Sequence, residues 1–179
     1  MLKVETTALL IVDIQEKLTR AMHEKEALVE NSAKMIKGAQ ILGVPIIASE
    51  QNPQGLGPTI PELAELLSGA EAVSKVSFSC CGEDRFMAQF KALNRKQVLV
   101  AGIEAHVCVY QTAADLLNLG YEVQVLADCV SSRTPENKAI GLELIKNLGG
   151  TLTSAETAIF ELMKVAEGDT FKQMLKVVK

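Results

Sequence analysis

The chain contains no tryptophan, only two histidines, and aromatic residues at just 4% of its 179 positions. That scarcity excludes a platform of stacked rings for single-stranded nucleic acid. Positive charge is not in excess either: 18 Lys and Arg stand against 22 Asp and Glu, giving a formal net charge of −4, and the basic residues are scattered. The sign is wrong for a phosphate-backbone binder, so no nucleic-acid partner is expected. The longest apolar run near the start, Ala8-Leu-Leu-Ile-Val12, is far short of a membrane span and stops at Asp13, and no export signal is legible. No membrane partner is expected. The four cysteines, Cys80, Cys81, Cys108 and Cys129, form no Cys-x-x-Cys pair and have no companion histidine spacing. Neither a metal site nor a cofactor is therefore anticipated, and free thiols in a reducing compartment, the cytoplasm, are the simplest reading.

The remaining composition, 48% hydrophobic and 22% charged, is that of an ordinary folded protein, and no linker or repeat divides it, so one domain over residues 1–179 is expected. Strand and helix patterns alternate along it. Strands are predicted at 6–12, 44–48, 72–76, 97–103, 122–127 and 151–153. Helices are predicted at 24–42, 61–67, 84–93, 107–119 and 134–149, with two more from about 155 and 169. Gly43 stops the first helix, and Thr134-Pro135 supplies an N-cap and a first helical position. Residues 50–58 are dense in turn formers and read as a loop. Leu9-Leu-Ile-Val and Val98-Leu-Val-Ala are continuously apolar, as strands buried on both faces are. The expected architecture is a three-layer α/β/α sandwich around a mostly parallel sheet of about six strands, Rossmann-like in arrangement. Ligands of such sheets bind beyond the carboxyl ends of the strands, where strand order reverses.

Three residues with apt chemistry fall at such ends: Asp13, Lys75 and Cys108. Cys108 is expected in the first turn of a helix, whose free N–H groups and dipole favour a thiolate. Lys75 as an ammonium would lower the thiol pKa further, and Asp13 would take the thiol proton and return it to a leaving group. The backbone N–H groups of Ala105 and Cys108 would meet a tetrahedral oxyanion.

Leu9-Leu-Ile-Val-Asp-Ile-Gln15, Ser74-Lys-Val-Ser-Phe-Ser79, Val100-Ala-Gly-Ile-Glu-Ala-His-Val-Cys-Val109 and Asp128-Cys-Val-Ser-Ser-Arg133 occur in this order. Together they resemble the isochorismatase-like cysteine hydrolases, and within them the small isochorismatase-domain proteins. The resemblance implies a triad of Asp13, Lys75 and Cys108, a cis peptide at Ile103–Glu104, a small-molecule substrate of amide, ester-like or related type, and a homo-oligomer. It implies no metal: nicotinamidases of the superfamily carry an Asp-x-His pair and a later His, whereas this chain reads Ser49-Glu-Gln-Asn-Pro53 and has only His23 and His106.

Each residue also has a plainer reading. Cys108 can be a small buried hydrophobe, Asp13 a turn-capping carboxylate and Lys75 a solvated surface residue. Gln15, Gln51, Leu56, Phe78, Glu104 and His106 are candidates to line a substrate pocket, while Glu104 and His106 read equally as turn and packing residues. A non-catalytic interaction protein with the same fold is the alternative function.

Overall fold

The apolar run after Thr6 forms β1 (Thr7–Val12), every residue of which is buried. A computed structural model describes residues 1–70 and 72–179. A single helical turn, α1 (Glu16–Thr19), precedes the long α2 (Lys25–Leu42), which ends at Gly43 in a left-handed conformation. Then follow β2 (Ile46–Gln51), two short turns α3 (Pro53–Leu56) and α4 (Pro61–Ala64), and β3 (Val73–Lys75). The second half alternates α5 (Asp84–Ala92), β4 (Gln97–Ile103), α6 (Tyr110–Asn118), β5 (Glu122–Ser131), α7 (Pro135–Asn147), β6 (Thr151–Thr153), α8 (Ala155–Met163) and α9 (Gly168–Val178). As its sequence requires, α7 opens on the Thr134 hydroxyl, which accepts from the Asn137 N–H, with Pro135 in the first turn.

The six strands lie in the order β3-β2-β1-β4-β5-β6 with every pairing parallel. Strand alternation divides the core into two layers. Leu9, Ile11, Leu99, Ala101 and Ile103 face the side packed by Met35, Ile36, Ile159 and Met174 of α2, α8 and α9. Ala8, Leu10, Val12, Val98 and Val100 face the side packed by Phe86, Phe90, Leu116 and Ile145 of α5, α6 and α7. This is a three-layer α/β/α sandwich, and its strand order reverses between β1 and β4, the place where such sheets bind ligands.

Two strands run further than their apolar patterns suggest. β2 continues past Ala48 through Ser49, Glu50 and Gln51 because β1 pairs with it on one side and β3 on the other. β5 continues to Ser131: its register against β4 shifts between Val100 and Gly102, so that Val130 and Ser131 still find partners. Gly102 itself has φ +133°, and a Cβ there would lie 2.1 Å from the Val12 carbonyl oxygen. A side chain at 102 is incompatible with the β1–β4 pairing.

Candidate active site

Asp13 follows β1 directly, and its backbone has φ 52° in the left-handed region that Asp tolerates better than most residues. Its N–H donates to the Ser49 carbonyl at 3.1 Å. Its carboxylate is fully buried and fully engaged: Oδ2 accepts from Lys75 Nζ at 2.7 Å and Oδ1 from Ser49 Oγ at 2.8 Å. Lys75 ends β3 with its ammonium equally buried. Besides Asp13, Nζ donates to Gln51 Oε1 at 2.8 Å and to the carbonyls of Ser77 at 3.2 Å and Phe78 at 3.0 Å. A lysine removed from water to this degree is sustained by that shell of oxygens.

Cys108 sits in a widened helical turn, Ala105–Val109, that runs on into α6. The N–H groups of Val107 and Val109 both donate to the Glu104 carbonyl, and the Ile103–Glu104 peptide bond is cis. The thiol is buried, with 6% of the residue exposed, and it feels the charges of Asp13 and Lys75. Its pKa is pushed up to about 12: burial is the largest cause, the Asp13 charge adds to it, and Lys75 only partly opposes them. Lys75 thus acts on the thiol in the expected direction, and burial together with the Asp13 charge outweighs it. Burial and a nearby carboxylate both disfavour the thiolate, so the Cys108 thiol is held toward its neutral form.

Among the other candidates, Gln51 joins this cluster; its Nε2 donates to the Val76 carbonyl at 2.8 Å. Gln15 is occupied elsewhere, clamping residues 51–57: Oε1 accepts from the Gln51 N–H at 2.7 Å, and Nε2 donates to the carbonyls of Gln51 and Gly57 at 3.0 and 2.6 Å. Leu56 lies half-buried on α3 within that loop, and Phe78 is exposed while its carbonyl serves Lys75. Glu104 Oε2 accepts from the N–H and Nε of Arg133 at 3.1 Å each, and His106 Nδ1 lies 3.0 Å from Ser132 Oγ. Both tie the turn that carries Cys108 to the end of β5. Two clefts lie elsewhere, one of about 610 Å³ between α1, α2 and α4 and one of about 350 Å³ between α2 and β5, neither lined by Asp13, Lys75 or Cys108. Among the described residues, no three His, Cys, Asp or Glu side chains converge to hold a metal ion.

Sequence reasoning missed three residues here. Ser49 is one; a polar residue closing the apolar run Pro45-Ile-Ile-Ala-Ser49 beside β1 was its available signal. Cys80 is another, its Sγ donating to Ser49 Oγ at 3.3 Å. The third is Gly141 of α7, where a Cβ would fall 2.5 Å from the Ala105 carbonyl oxygen and 2.7 Å from the His106 nitrogen. In an open helix Gly→Ala gains about 1 kcal/mol, but overpacking against rigid backbone costs about 1–3 kcal/mol. Gly141→Ala is thus expected to lower the melting temperature and to slow any reaction at Cys108; a melting temperature above wild type would show that the turn yields freely.

With this geometry in place, comparison with known proteins is direct. The isochorismatase domain model matches residues 7–157. Isochorismatase domain-containing protein 2 of Rattus norvegicus is 37% identical over 175 residues, covering 98% of this chain and 82% of that protein. The secreted isochorismatase effector Isc1 of Phytophthora sojae is 35% identical over 178 residues, covering 97% of this chain and 85% of that protein. The solved structure of MAR1 ribonuclease from Caenorhabditis elegans superposes with a TM-score of 0.92 at 34% identity, covering 99% of this chain and 91% of that one.

Proposed function

The chain belongs to the isochorismatase domain family, and on that premise we propose that it is a cysteine hydrolase acting on a small amide, ester-like or related substrate through a covalent intermediate on Cys108. The observation that carries this reading is the fully buried Asp13 carboxylate, paired with the Lys75 ammonium at 2.7 Å and close enough to the Cys108 thiol for its charge to act on it. As the sulfur attacks the substrate carbonyl carbon, its proton passes to Asp13. The oxyanion that forms is assigned to the N–H groups of Ala105 and Cys108, since those of Val107 and Val109 already serve the Glu104 carbonyl. Asp13 then protonates the departing amine or alcohol, leaving a thioester. Water hydrolyses it with Asp13 as base, and Asp13 returns the proton to the sulfur. Lys75 pairs with Asp13 throughout these steps. The scheme uses neither metal nor cofactor.

The reading extends to self-association and compartment. Ile140, Leu144 and Leu148 are exposed at helical spacing along the outer face of α7, which favours a homo-oligomer. Light scattering is expected to give a mass above that of one chain, and a monomer at micromolar concentration would remove this part. Four unpaired cysteines favour the cytoplasm, although the Phytophthora relative is named a secreted effector. No helix among the described residues is long and apolar enough to cross a membrane.

The test needs no natural substrate. Incubated with 4-nitrophenyl acetate, the protein is expected to carry one acetyl group, mapped to Cys108 by mass spectrometry and absent in Cys108→Ala. Acetylation confined to surface lysines would overturn the reading and favour an interaction protein. Ribonuclease activity is a second reading, favoured by the name of the nematode relative alone. RNA cleavage that disappears in Cys108→Ser would support it.

A further inference from the structure

Asp13 is held by one neighbour at two points. Ser49, its partner across the β1–β2 pairing, accepts the Asp13 N–H with its carbonyl at 3.1 Å and donates its hydroxyl to Oδ1 at 2.8 Å. Val12 and Ser49 are register partners, so the parallel sheet itself sets this approach. The direction of the hydrogen bond is fixed by chemistry: an ionised carboxylate only accepts, so the single Ser49 proton points to Asp13 and the Ser49 oxygen is left to accept the Cys80 S–H at 3.3 Å. Cys80 is in turn anchored by its N–H donating to Thr112 Oγ1 at 2.9 Å on α6. The result is a buried relay of fixed polarity, Cys80 to Ser49 to Asp13, with Lys75 on the other carboxylate oxygen. Nothing in it is exposed to water: Ser49 is 2% exposed, and Cys80 and Asp13 are fully buried.

We infer that Ser49 is a positioning residue for the reaction at Cys108, clamping the Asp13 carboxylate in one orientation and tempering its hold on the proton it takes from the thiol. This rests on the cysteine-hydrolase reading. Two oxygens of Asp13 are committed, one to a cation and one to a hydroxyl, so the carboxylate plane is held against rotation. Proton balance gives the clamp a second role. Asp13 must accept the thiol proton and then surrender it to the leaving group, and a donor that bonds the charged form weakens its proton affinity. The titratable groups facing Asp13 among the described residues are Lys75 from β3, Cys108 from the nucleophile turn and, through Ser49, Cys80. Of these Lys75 supplies charge, while Ser49 supplies the neutral donor that fixes orientation.

The experiment is the pH dependence of Cys108 acetylation by 4-nitrophenyl acetate, followed by mass spectrometry in wild type, Ser49→Ala and Ser49→Thr. Loss of the donor is expected to shift the acid limb upward by about one pH unit and to slow the plateau rate several-fold. Thr restores the hydroxyl and is expected to restore the limb. A limb unmoved in Ser49→Ala, whether or not the plateau falls, overturns the inference, because loosened packing slows a reaction without moving its titration. If Ser49→Ala does not fold, Ser49→Cys, close in size and a much weaker donor, carries the same expected shift. Failure of wild type to acetylate Cys108 at all overturns the hydrolase reading and this inference with it. A wild type that acetylates normally beside an unshifted Ser49→Ala overturns the Ser49 role alone.

Discussion

Replacing Asp13 by asparagine should abolish turnover and, in the same protein, make Cys108 easier to alkylate. The first effect is loss of the proton carrier, worth about 10²–10⁴-fold. The second follows from what holds the thiol neutral. After burial, the Asp13 charge and the hydrogen bond to Asp13 push its pKa up to about 12, and Lys75 pulls it down. Asparagine removes both contributions of Asp13 and leaves Lys75, so the thiolate gains a cation for its neighbour. Because the thiol pKa is raised, the reactive anion should be scarce in wild type at neutral pH, whereas in Asp13→Asn alkylation should level off at a lower pH. Iodoacetamide labelling at pH 8, mapped by mass spectrometry with Cys80, Cys81 and Cys129 as internal controls, reads the second effect. Unfolding cannot imitate the result, because it would expose all four thiols alike. If Cys108 in Asp13→Asn is alkylated no faster than in wild type, Asp13 does not hold its proton.

Lys75→Met should be among the most destabilising single substitutions in the chain. Methionine fills the stem's space without strain, but the Asp13 carboxylate is then buried with no cation, and removing one member of a fully buried pair costs about 3–5 kcal/mol. For a domain of this size that lowers the melting temperature by on the order of 10 °C. The double variant Asp13→Asn, Lys75→Met removes both charges and should recover most of the loss, since exchange of a buried pair for neutral groups is often nearly free. Calorimetry on the two singles and the double closes the cycle. A Lys75→Met protein melting within about 2 °C of wild type would mean that water reaches Asp13. The reactivity of Cys108 should also fall in Lys75→Met, opposite to Asp13→Asn, because Lys75 is the group that lowers the thiol pKa.

Much of this protein was legible in its residues. Continuous apolar strands separated by amphipathic helices dictate a parallel sheet covered on both faces, and the end of each strand is marked where the apolar run breaks. That is why Asp13 and Lys75 could be placed together: one follows a strand and the other ends one, and strand ends in a parallel sheet share one edge. The helix signals of Gly43 and Thr134-Pro135 were equally local. What the sequence hid depends on neighbours distant along the chain. Ser49 and Gln51 lie in a polar extension of β2 that only pairing with β1 and β3 makes a strand. Gln15 looked like a pocket residue, yet its amide is consumed by the backbone at Gln51 and Gly57. Gly141 sits in an ordinary helical stretch, and the backbone of residues 105 and 106 lying against it is set by the crossing of α7 over the nucleophile turn. The surroundings of Cys108 were hidden for the same reason. Sequence places a thiol at a helix start, which favours the anion; the fold buries it against a carboxylate, which favours the neutral form. Composition and periodicity are properties of single segments and so determined the layers and the edge where chemistry gathers. Desolvation and hydrogen-bond direction are properties of the assembled neighbourhood, and only the tertiary structure decided them.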